Sequence, residues 1–160
     1  MTEMATADPT TRPTGLAPID CDIHVEPPTV EALFPYLAEH WIEHITQSLF
    51  KGPVDHIYPP RSPITARPGS RPEAGPAGSD LALLRAQALD AAGAEIGILS
   101  PAYAIDSIRH PDAAIALASA VNDWLIAEWL EKEPRLRAAM VVPSQLPAAA
   151  AREIDRVGGH

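Results

Sequence analysis

The sequence predicts an α/β fold: the front part of a TIM-type (β/α)8 barrel, with about three β/α units. Short segments rich in Ile, Leu and Val alternate with longer segments whose apolar residues recur every three or four positions. This alternation predicts a parallel sheet with helices outside it. The first strand carries Asp22 and His24 near its end, and the chemistry of such a barrel lies at the C-terminal ends of its strands. A full barrel takes roughly 200 residues or more, so we expect it to be incomplete in these 160 residues.

A doubly wound sheet that binds dinucleotides is the other architecture compatible with alternating strands and helices. Such a sheet carries a Gly-rich turn after its first strand, where the backbone approaches the phosphates. Here that turn reads His24-Val25-Glu26-Pro27-Pro28. The barrel is therefore the better prediction.

The first half of the chain is predicted to hold one strand, one helix and two irregular segments. Residues 1–18, rich in Thr, Ala and Pro, are expected to form a flexible leader before a barrel domain at 19–160. After the strand that begins at Ile19, a helix is expected to start near Thr29 as its N-cap. Residues 51–79 mix Pro with Gly and are expected to form a loop. The helix should bury a stripe that recurs every four positions: Leu33, Leu37, Trp41 and Ile45.

The second half of the chain repeats one theme, a strand followed by a helix. Pro111 suits the first turn of a long helix and Pro134 lies just past its end. The predicted elements, in order, are a helix at 80–92, a strand at 94–99, a helix from 111 to about 133, a strand at 136–142 and a helix at 147–157.

The charge and the cysteine content exclude several classes of partner. The formal net charge of −9, a pI near 5.0 and the lack of a basic run argue against a nucleic-acid surface. One cysteine allows no internal disulfide, and residues 1–18 lack the apolar core of a signal peptide. We expect no apolar segment to approach the roughly 20 residues that span a bilayer. These features predict a cytoplasmic protein with no membrane or nucleic-acid partner.

Asp22 and His24 form the candidate metal site. Residues two apart on a strand project to the same side, so Asp20, Asp22 and His24 should share one face, opposite Ile19, Cys21, Ile23 and Val25. Polar groups buried there would need compensation, and a divalent metal supplies it to an oxygen and a nitrogen ligand. The alternative is that Asp22 and His24 are only the polar end of a strand, with Asp22 making a local turn bond.

A second pattern with metal-binding spacing follows in the first helix. His40, Glu43 and His44 fit His-x-x-Glu-His, in which two His one turn apart hold zinc beside a catalytic Glu. The two His flank the apolar stripe at Trp41, and a packed or half-exposed helix is the better interpretation.

The loop after the second strand carries the candidate substrate-binding residues. Tyr103, Arg109 and His110 would stand at the same mouth as His24 if the chain forms a barrel. The alternative for His110 is an ordinary helix entry, because it is followed by Pro111 and Asp112.

Several segments together resemble the N-terminal part of the amidohydrolase-2 family, the metal-dependent barrels related to aminocarboxymuconate-semialdehyde decarboxylase. The resemblance runs from about Ile19 to Val157. The segments that carry it are Ile19-Asp20-Cys21-Asp22-Ile23-His24, Leu33-Phe34-Pro35-Tyr36-Leu37 with Trp41, Gly93 to Leu99 with Ser100-Pro101, Asn122-Asp123-Trp124-Leu125 with Glu128-Trp129, and Pro134-Arg135-Leu136-Arg137 with Val141-Val142-Pro143.

The resemblance implies a metal-dependent hydrolase or non-oxidative decarboxylase that acts on a small organic acid, a small carboxylate substrate. It implies that Asp22 and His24 are ligands of one divalent metal, Zn²⁺ in the first place and Mn²⁺ in the second. Some relatives carry His or Glu where this chain has Asp22. The remaining ligands come from later strands in the family, so no catalytic residue is assigned within this chain.

Two classes of function remain open at this point. One is the family enzyme, represented here by its N-terminal portion, with self-association or a partner chain supplying the remaining strands. The other is a non-catalytic remnant or interaction module that keeps the front of the barrel. Metal binding discriminates between them, because only the enzyme requires it.

Overall fold

A computed structural model of the protein describes residues 17–53 and 68–160. Most of the predicted leader, at 1–16, and the centre of the predicted loop, at 54–67, lie outside the described residues.

Three parallel strands form the sheet. They are β1 (Ile19–Val25), β2 (Ile96–Pro101) and β3 (Leu136–Ala138), and they lie side by side in the order β1-β2-β3. The predicted α/β class with a parallel sheet is confirmed. Strands placed in sequence order are compatible with part of a TIM-type barrel, whereas a doubly wound sheet reverses direction at a switch point.

Helical segments connect the strands. α1 (Glu39–Ser48) follows a 3₁₀ segment at Val30–Tyr36. α2 (Leu81–Leu84) continues as a π-helical turn at Arg85–Asp90, and α3 (Pro111–Leu125) continues as another at Ile126–Leu130. The remaining segments are a 3₁₀ turn at Ile105–Ser107 and α4 (Pro147–Val157), whose predicted limits are confirmed.

The prediction of a single helix running from Thr29 past Ile45 is wrong. The chain forms a 3₁₀ segment that contains Pro35, becomes extended at Leu37 and Ala38, and only then enters α1. Pro35 has no backbone N–H and cannot supply the i to i−4 hydrogen bond that an α-helix would require there. Thr29 does lie at the N-cap position of the 3₁₀ segment, but its side chain makes no capping hydrogen bond.

The third strand ends earlier than predicted, at Ala138 instead of 142. The reason is a side chain on α3. The Asn122 carboxamide accepts a hydrogen bond from the Val141 N–H at 2.8 Å and donates one to the Val141 carbonyl at 2.8 Å. Because Val141 is buried, these bonds satisfy a backbone that has left the sheet.

Asn122 also joins α3 to α4. Its amide donates to Glu153 at 2.7 Å, and Glu153 accepts further bonds from Ser119 at 2.8 Å and Arg156 at 2.8 Å. Burial alone would raise the pKa of the Glu153 carboxyl, but the hydrogen bonds from Arg156, Asn122 and Ser119 outweigh it and hold that pKa below its ordinary value. The carboxylate is therefore a buried, fully partnered anion between the two helices.

The helix at Pro111–Leu130 is long and apolar enough to cross a membrane by length and composition. The expectation that no segment approaches that length is therefore wrong. The helix lies against the sheet with 56% of its 18-residue window buried, and it supplies Ala114, Val121 and Trp129 to the core. A buried core helix of a globular protein can have the same length and apolar composition as a membrane-spanning helix.

Gly97 lies in β2 where Leu89 of the second helical segment packs against the sheet. A Cβ placed there would be 2.8 Å from Ile23 Cδ1 and 2.9 Å from Leu89 Cδ2. Both distances are shorter than real Cβ contacts, and both neighbours are buried. The glycine is required by the packing of this face.

We expect Gly97→Ala to lower the free energy of unfolding by about 1–3 kcal/mol, the cost of overpacking a filled core. Gly159→Ala is the matched control, because no atom lies within 4 Å of a Cβ at that position. Urea unfolding of both variants checks the prediction, and equal midpoints for Gly97→Ala and the unchanged chain would contradict it.

Glu133 anchors the start of β3. It is 4% exposed and accepts hydrogen bonds from Arg135 Nε at 2.9 Å and Arg85 Nε at 2.6 Å. The Arg135 bonds, helped by those from Arg85 and opposed by burial, lower the pKa of the Glu133 carboxyl from 4.5 to about 2. Arg135 also pairs with Asp90 at 2.9 Å, so the cluster ties the end of the second helical segment to β3.

A carboxyl whose pKa is lowered by folding stabilises the protein above its unfolded pKa, and this stabilisation is lost as the pH falls through the folded pKa. Glu133→Gln should therefore lower the melting temperature at pH 7, and the difference from the unchanged chain should shrink between about pH 4.5 and pH 2. Thermal unfolding across this pH range checks it, with the exposed Glu131→Gln as control. A difference that stays constant with pH would contradict the assignment.

Candidate functional site

β1 contains an extra residue that decides where its side chains point. Ile19 pairs with Ile96 and Asp20 with Gly97, but Ile23 pairs with Leu99, so β1 uses three steps where β2 uses two. Such a bulge leaves one residue outside the ladder and re-aims the chain. The Asp20 carboxylate accepts a hydrogen bond from the Asp22 N–H at 3.1 Å, so Asp20, not Asp22, makes the local bond at this position.

The bulge divides the strand into two halves with opposite alternation. Paired residues of neighbouring strands project to the same side, so Asp20 points to the side of Gly97 while His24 points to the side of Ser100. The expectation that Asp20, Asp22 and His24 share one face, and Ile19 and Ile23 the other, is therefore wrong for Asp20 and Ile19. Beyond the bulge the two-residue period holds, with Ile23 and Val25 buried.

We call the side of the sheet that bears His24 the open face, because its residues are exposed or half-buried. Its members are Ile19, Asp22, His24, Ile96, Ile98, Ser100 and Arg137. The opposite, helix face holds Ile23, Val25, Leu99 and Leu136, which are all buried.

Asp22 and His24 lie together on the open face, in the C-terminal half of a parallel strand. His24 Nδ1 is 3.6 Å from Asp22 Oδ1, and the two side chains are 66% and 81% exposed. The sequence suggested buried polar groups that need compensation. This expectation is wrong, because both side chains face away from the helices and are exposed. Their functional role stays a prediction.

The pair has a donor set and a spacing that fit a divalent metal. Two ligands held at about 2.0–2.2 Å from a tetrahedral zinc lie about 3.3–3.6 Å from each other, and His24 Nδ1 lies 3.6 Å from Asp22 Oδ1. A carboxylate oxygen with an imidazole nitrogen suits Zn²⁺ or Mn²⁺. Within residues 17–53 and 68–160, however, no third His, Cys, Asp or Glu joins them to complete a group.

Ser100 and Arg137 complete the polar part of the open face, and the sequence interpretation missed both. Ser100 of β2 pairs with His24 of β1. Arg137 lies on β3, where it pairs with Ile98 of β2. Its backbone is therefore two strands away from β1, about 10 Å at the usual strand spacing. The Arg137 Nη1 donates to the carbonyls of Pro134 and Leu136, yet the residue stays exposed. The sequence did contain a signal for Arg137. It directly follows the apolar Leu136 in a predicted strand, so it should project to the face opposite Leu136.

The backbone at the end of β1 is held by the described end of the Pro/Gly-rich loop. The Glu26 N–H donates to the Gly78 carbonyl at 3.2 Å. Gly78 has a φ of +80°, and a Cβ there would be 2.3 Å from the His24 carbonyl oxygen. Only glycine therefore fits both the left-handed backbone and the close approach, and the loop end positions the strand that carries His24.

The structure separates the three predicted substrate-binding residues. Tyr103 lines a small crevice of about 160 Å³ beside Glu26 and Pro27, past the ends of β1 and β2. Arg109 and His110 line a larger cavity of about 650 Å³ beside α1. Lys51 borders both, whereas neither cavity is lined by Asp22 or His24. The three residues therefore do not form one wall with the candidate metal ligands.

Tyr103 has an unusual environment. Its hydroxyl is buried and has no hydrogen-bond partner among the described residues, and burial raises the pKa of the phenol. The hydroxyl lies near Gly52, where an added Cβ would approach it to 3.7 Å. The group is therefore a neutral donor at physiological pH.

His40 and His44 lie on α1 around Trp41. The ring centroids are 5.1 Å apart for His40 and Trp41, and 5.8 Å apart for Trp41 and His44. Both His are exposed and Glu43 is exposed beside them. Within the described part of the chain no three His, Cys, Asp or Glu residues lie close enough to hold a metal ion together, and this includes His40, Glu43 and His44. The arrangement therefore favours the packed, half-exposed helix over a peptidase site.

A family model of amidohydrolases matches residues 19–160, a range that includes all three strands of the described sheet and α1 to α4. The chain belongs to the amidohydrolase family. No curated protein matches it.

Members of this amidohydrolase family are generally enzymes built on a TIM barrel, and they usually bind a divalent metal. The predicted family is confirmed, and the barrel fold and metal use of its members agree with the predicted fold type and cofactor. In this amidohydrolase chain the parallel sheet is compatible with part of such a barrel.

Proposed function

We propose that this chain supplies two metal ligands, Asp22 and His24, to a metal-dependent hydrolase or non-oxidative decarboxylase that acts on a small organic acid. The observation that carries the proposal is the 3.6 Å pair of an oxygen and a nitrogen donor on the open face of β1. Family membership supports it, because amidohydrolases usually bind a divalent metal. Zn²⁺ is the first choice of metal and Mn²⁺ the second.

The chemistry that such a metal supplies is general. A bound divalent ion polarises a substrate oxygen or lowers the pKa of a coordinated water to about 7. The resemblance to the barrels related to aminocarboxymuconate-semialdehyde decarboxylase supports decarboxylation beside hydrolysis.

The residues around the pair suit a small carboxylate substrate. Arg137 is a cation on the same face as Asp22 and His24, and a guanidinium binds a carboxylate with two parallel hydrogen bonds. The Ser100 hydroxyl, adjacent to His24 in the sheet, can donate to or accept from a substrate oxygen. In this proposal Arg137 orients the carboxylate of the substrate, and Ser100 forms a hydrogen bond with a substrate oxygen beside the metal ligands.

The proposal is tested first by metal binding. The full chain should bind one Zn²⁺ weakly, because the described residues supply two ligands. His24→Ala should lower the affinity at least about tenfold, since even partners outside the ligand shell are worth about 10–100-fold. The double variant His40→Ala with His44→Ala should leave the affinity unchanged. Isothermal titration with Zn²⁺ measures all three.

Loss of zinc in the double variant alone would favour the helical His-x-x-Glu-His pattern and overturn the assignment to β1. No zinc binding in the unchanged chain would favour the alternative of a non-catalytic interaction module.

We propose further that the open face is covered by additional polypeptide in the working protein. Ile19 is 54% exposed, and Ile96 and Ile98 are only half-buried. Parallel sheets are normally covered on both faces, and apolar surface of this kind favours association. The cover is a second copy of this chain or a partner chain that supplies further strands, and it would bring the missing metal ligands.

The isolated chain should therefore self-associate at micromolar concentration. Ile19→Lys, at an exposed position, should shift sedimentation towards the monomer without lowering the melting temperature. Ile154→Lys on α4 is the matched control, since Ile154 is also exposed, at 46%, but lies on a helix. A chain that sediments as a monomer before any substitution would contradict the proposal.

A further inference from the structure

The cavity beside α1 has features of a ligand site. Its volume of about 650 Å³ falls within the range of small-molecule pockets, about 300–1,000 Å³. Most of its wall is apolar and comes from α1, from the segment after α1, from the loop before α3 and from α3. The side chains that form the apolar wall are Trp41, Ile45, Phe50, Ile108 and Leu117.

The aromatic part of this wall is held in a fixed arrangement. The ring centroids of Trp41 and His110 are 5.7 Å apart at an interplanar angle of 84°, and those of Trp41 and His44 are 5.8 Å apart at 86°. Edge-to-face contacts of this kind stabilise ring orientations. The indole is therefore supported by imidazoles from two elements.

His110 is also fixed by the backbone. Its Nδ1 accepts a hydrogen bond from the Ala113 N–H at 3.3 Å, which caps α3. In the neutral ring the proton is then on Nε2, and this N–H is a donor. No described residue accepts a hydrogen bond from it.

The charge at the cavity is positive. Arg109 lines it, and its guanidinium has no hydrogen-bond or ion-pair partner among the described residues. Lys51 lies at the same wall and pairs only loosely with Glu31, at 3.8 Å between two exposed side chains. None of the described residues that line the cavity is an Asp or a Glu. The cavity is therefore positive in a chain whose net charge is −9, as far as its described lining residues show.

We propose that this cavity binds an organic anion with a flat apolar body, such as an aryl carboxylate. The ring of the ligand lies against Trp41 and the aliphatic wall, where burial of apolar surface favours binding. Arg109 binds the carboxylate, because a guanidinium matches its two oxygens. The proposal does not depend on metal binding, because neither Asp22 nor His24 lines the cavity.

Three probes with one ring system and different charge test the proposal on the full chain. They are 1-naphthoate, 1-naphthalenemethanol and 1-naphthylmethylammonium. Titrations followed by tryptophan fluorescence, with EDTA present, should give the affinity order anion, alcohol, cation, with naphthoate at least about tenfold tighter than the alcohol, as expected for a charge-assisted contact.

Arg109→Gln should remove this preference and bring naphthoate to the affinity of the alcohol. Arg152→Gln, an exposed arginine on α4, is the matched control and should change nothing. Ser107→Phe places a ring at an exposed position of the cavity wall and should weaken both naphthoate and the alcohol, with the far-ultraviolet circular dichroism unchanged.

Ile19→Lys separates the cavity from the open face, and it should leave naphthoate binding unchanged. Equal affinity for the anion and the alcohol in the unchanged chain, or no binding of naphthoate at millimolar concentration, would overturn the proposal. Binding that Ser107→Phe leaves intact, or that Ile19→Lys removes, would overturn the location. These outcomes do not bear on zinc binding by Asp22 and His24, because every titration contains EDTA.

Discussion

One extra residue in β1 determines what the open face of the sheet offers. The bulge between Asp20 and Ile23 lets Ile23 and Val25 reach the helix face while Asp22 and His24 reach the other side. Without it, an uninterrupted two-residue period from Ile19 would bring an aspartate or a histidine into the space that Leu89 and Leu99 fill. Packing on one face and polar donors on the other are therefore consequences of the same irregularity.

The parts of the fold that depend on periodic apolar patterns could be predicted from the sequence. The parallel sheet and α4 follow from such patterns, and α4 has the limits that Pro147 and Gly158 suggest. The helix after Thr29 could not be predicted correctly, because the stripe through Leu33 and Ile45 persists across a break at Leu37. An apolar stripe in the sequence indicates which residues are buried. It does not show whether one long helix or two short helical segments bury them.

The candidate site was also predictable only in part. Asp22 and His24 are neighbours on one side of a strand, as their spacing predicted. Their exposure could not be predicted, since it depends on the bulge and on the fact that no other described element covers the open face. Tyr103 and Arg109 lie in one loop, yet a 3₁₀ turn at Ile105–Ser107 sends them to different cavities. Loop residues are placed by local turns, which a pattern of apolar residues does not encode.

The contact between Asn122 and Val141 links parts of the chain that lie 19 positions apart. A backbone amide exchanges its hydrogen with solvent only when its hydrogen bond opens. For Val141 that bond is to a side chain on α3, so exchange there follows the separation of α3 from the segment after β3 and is independent of the strand ladder. This single amide therefore reports how firmly α3 holds the segment after β3, separately from the hydrogen bonds of the sheet.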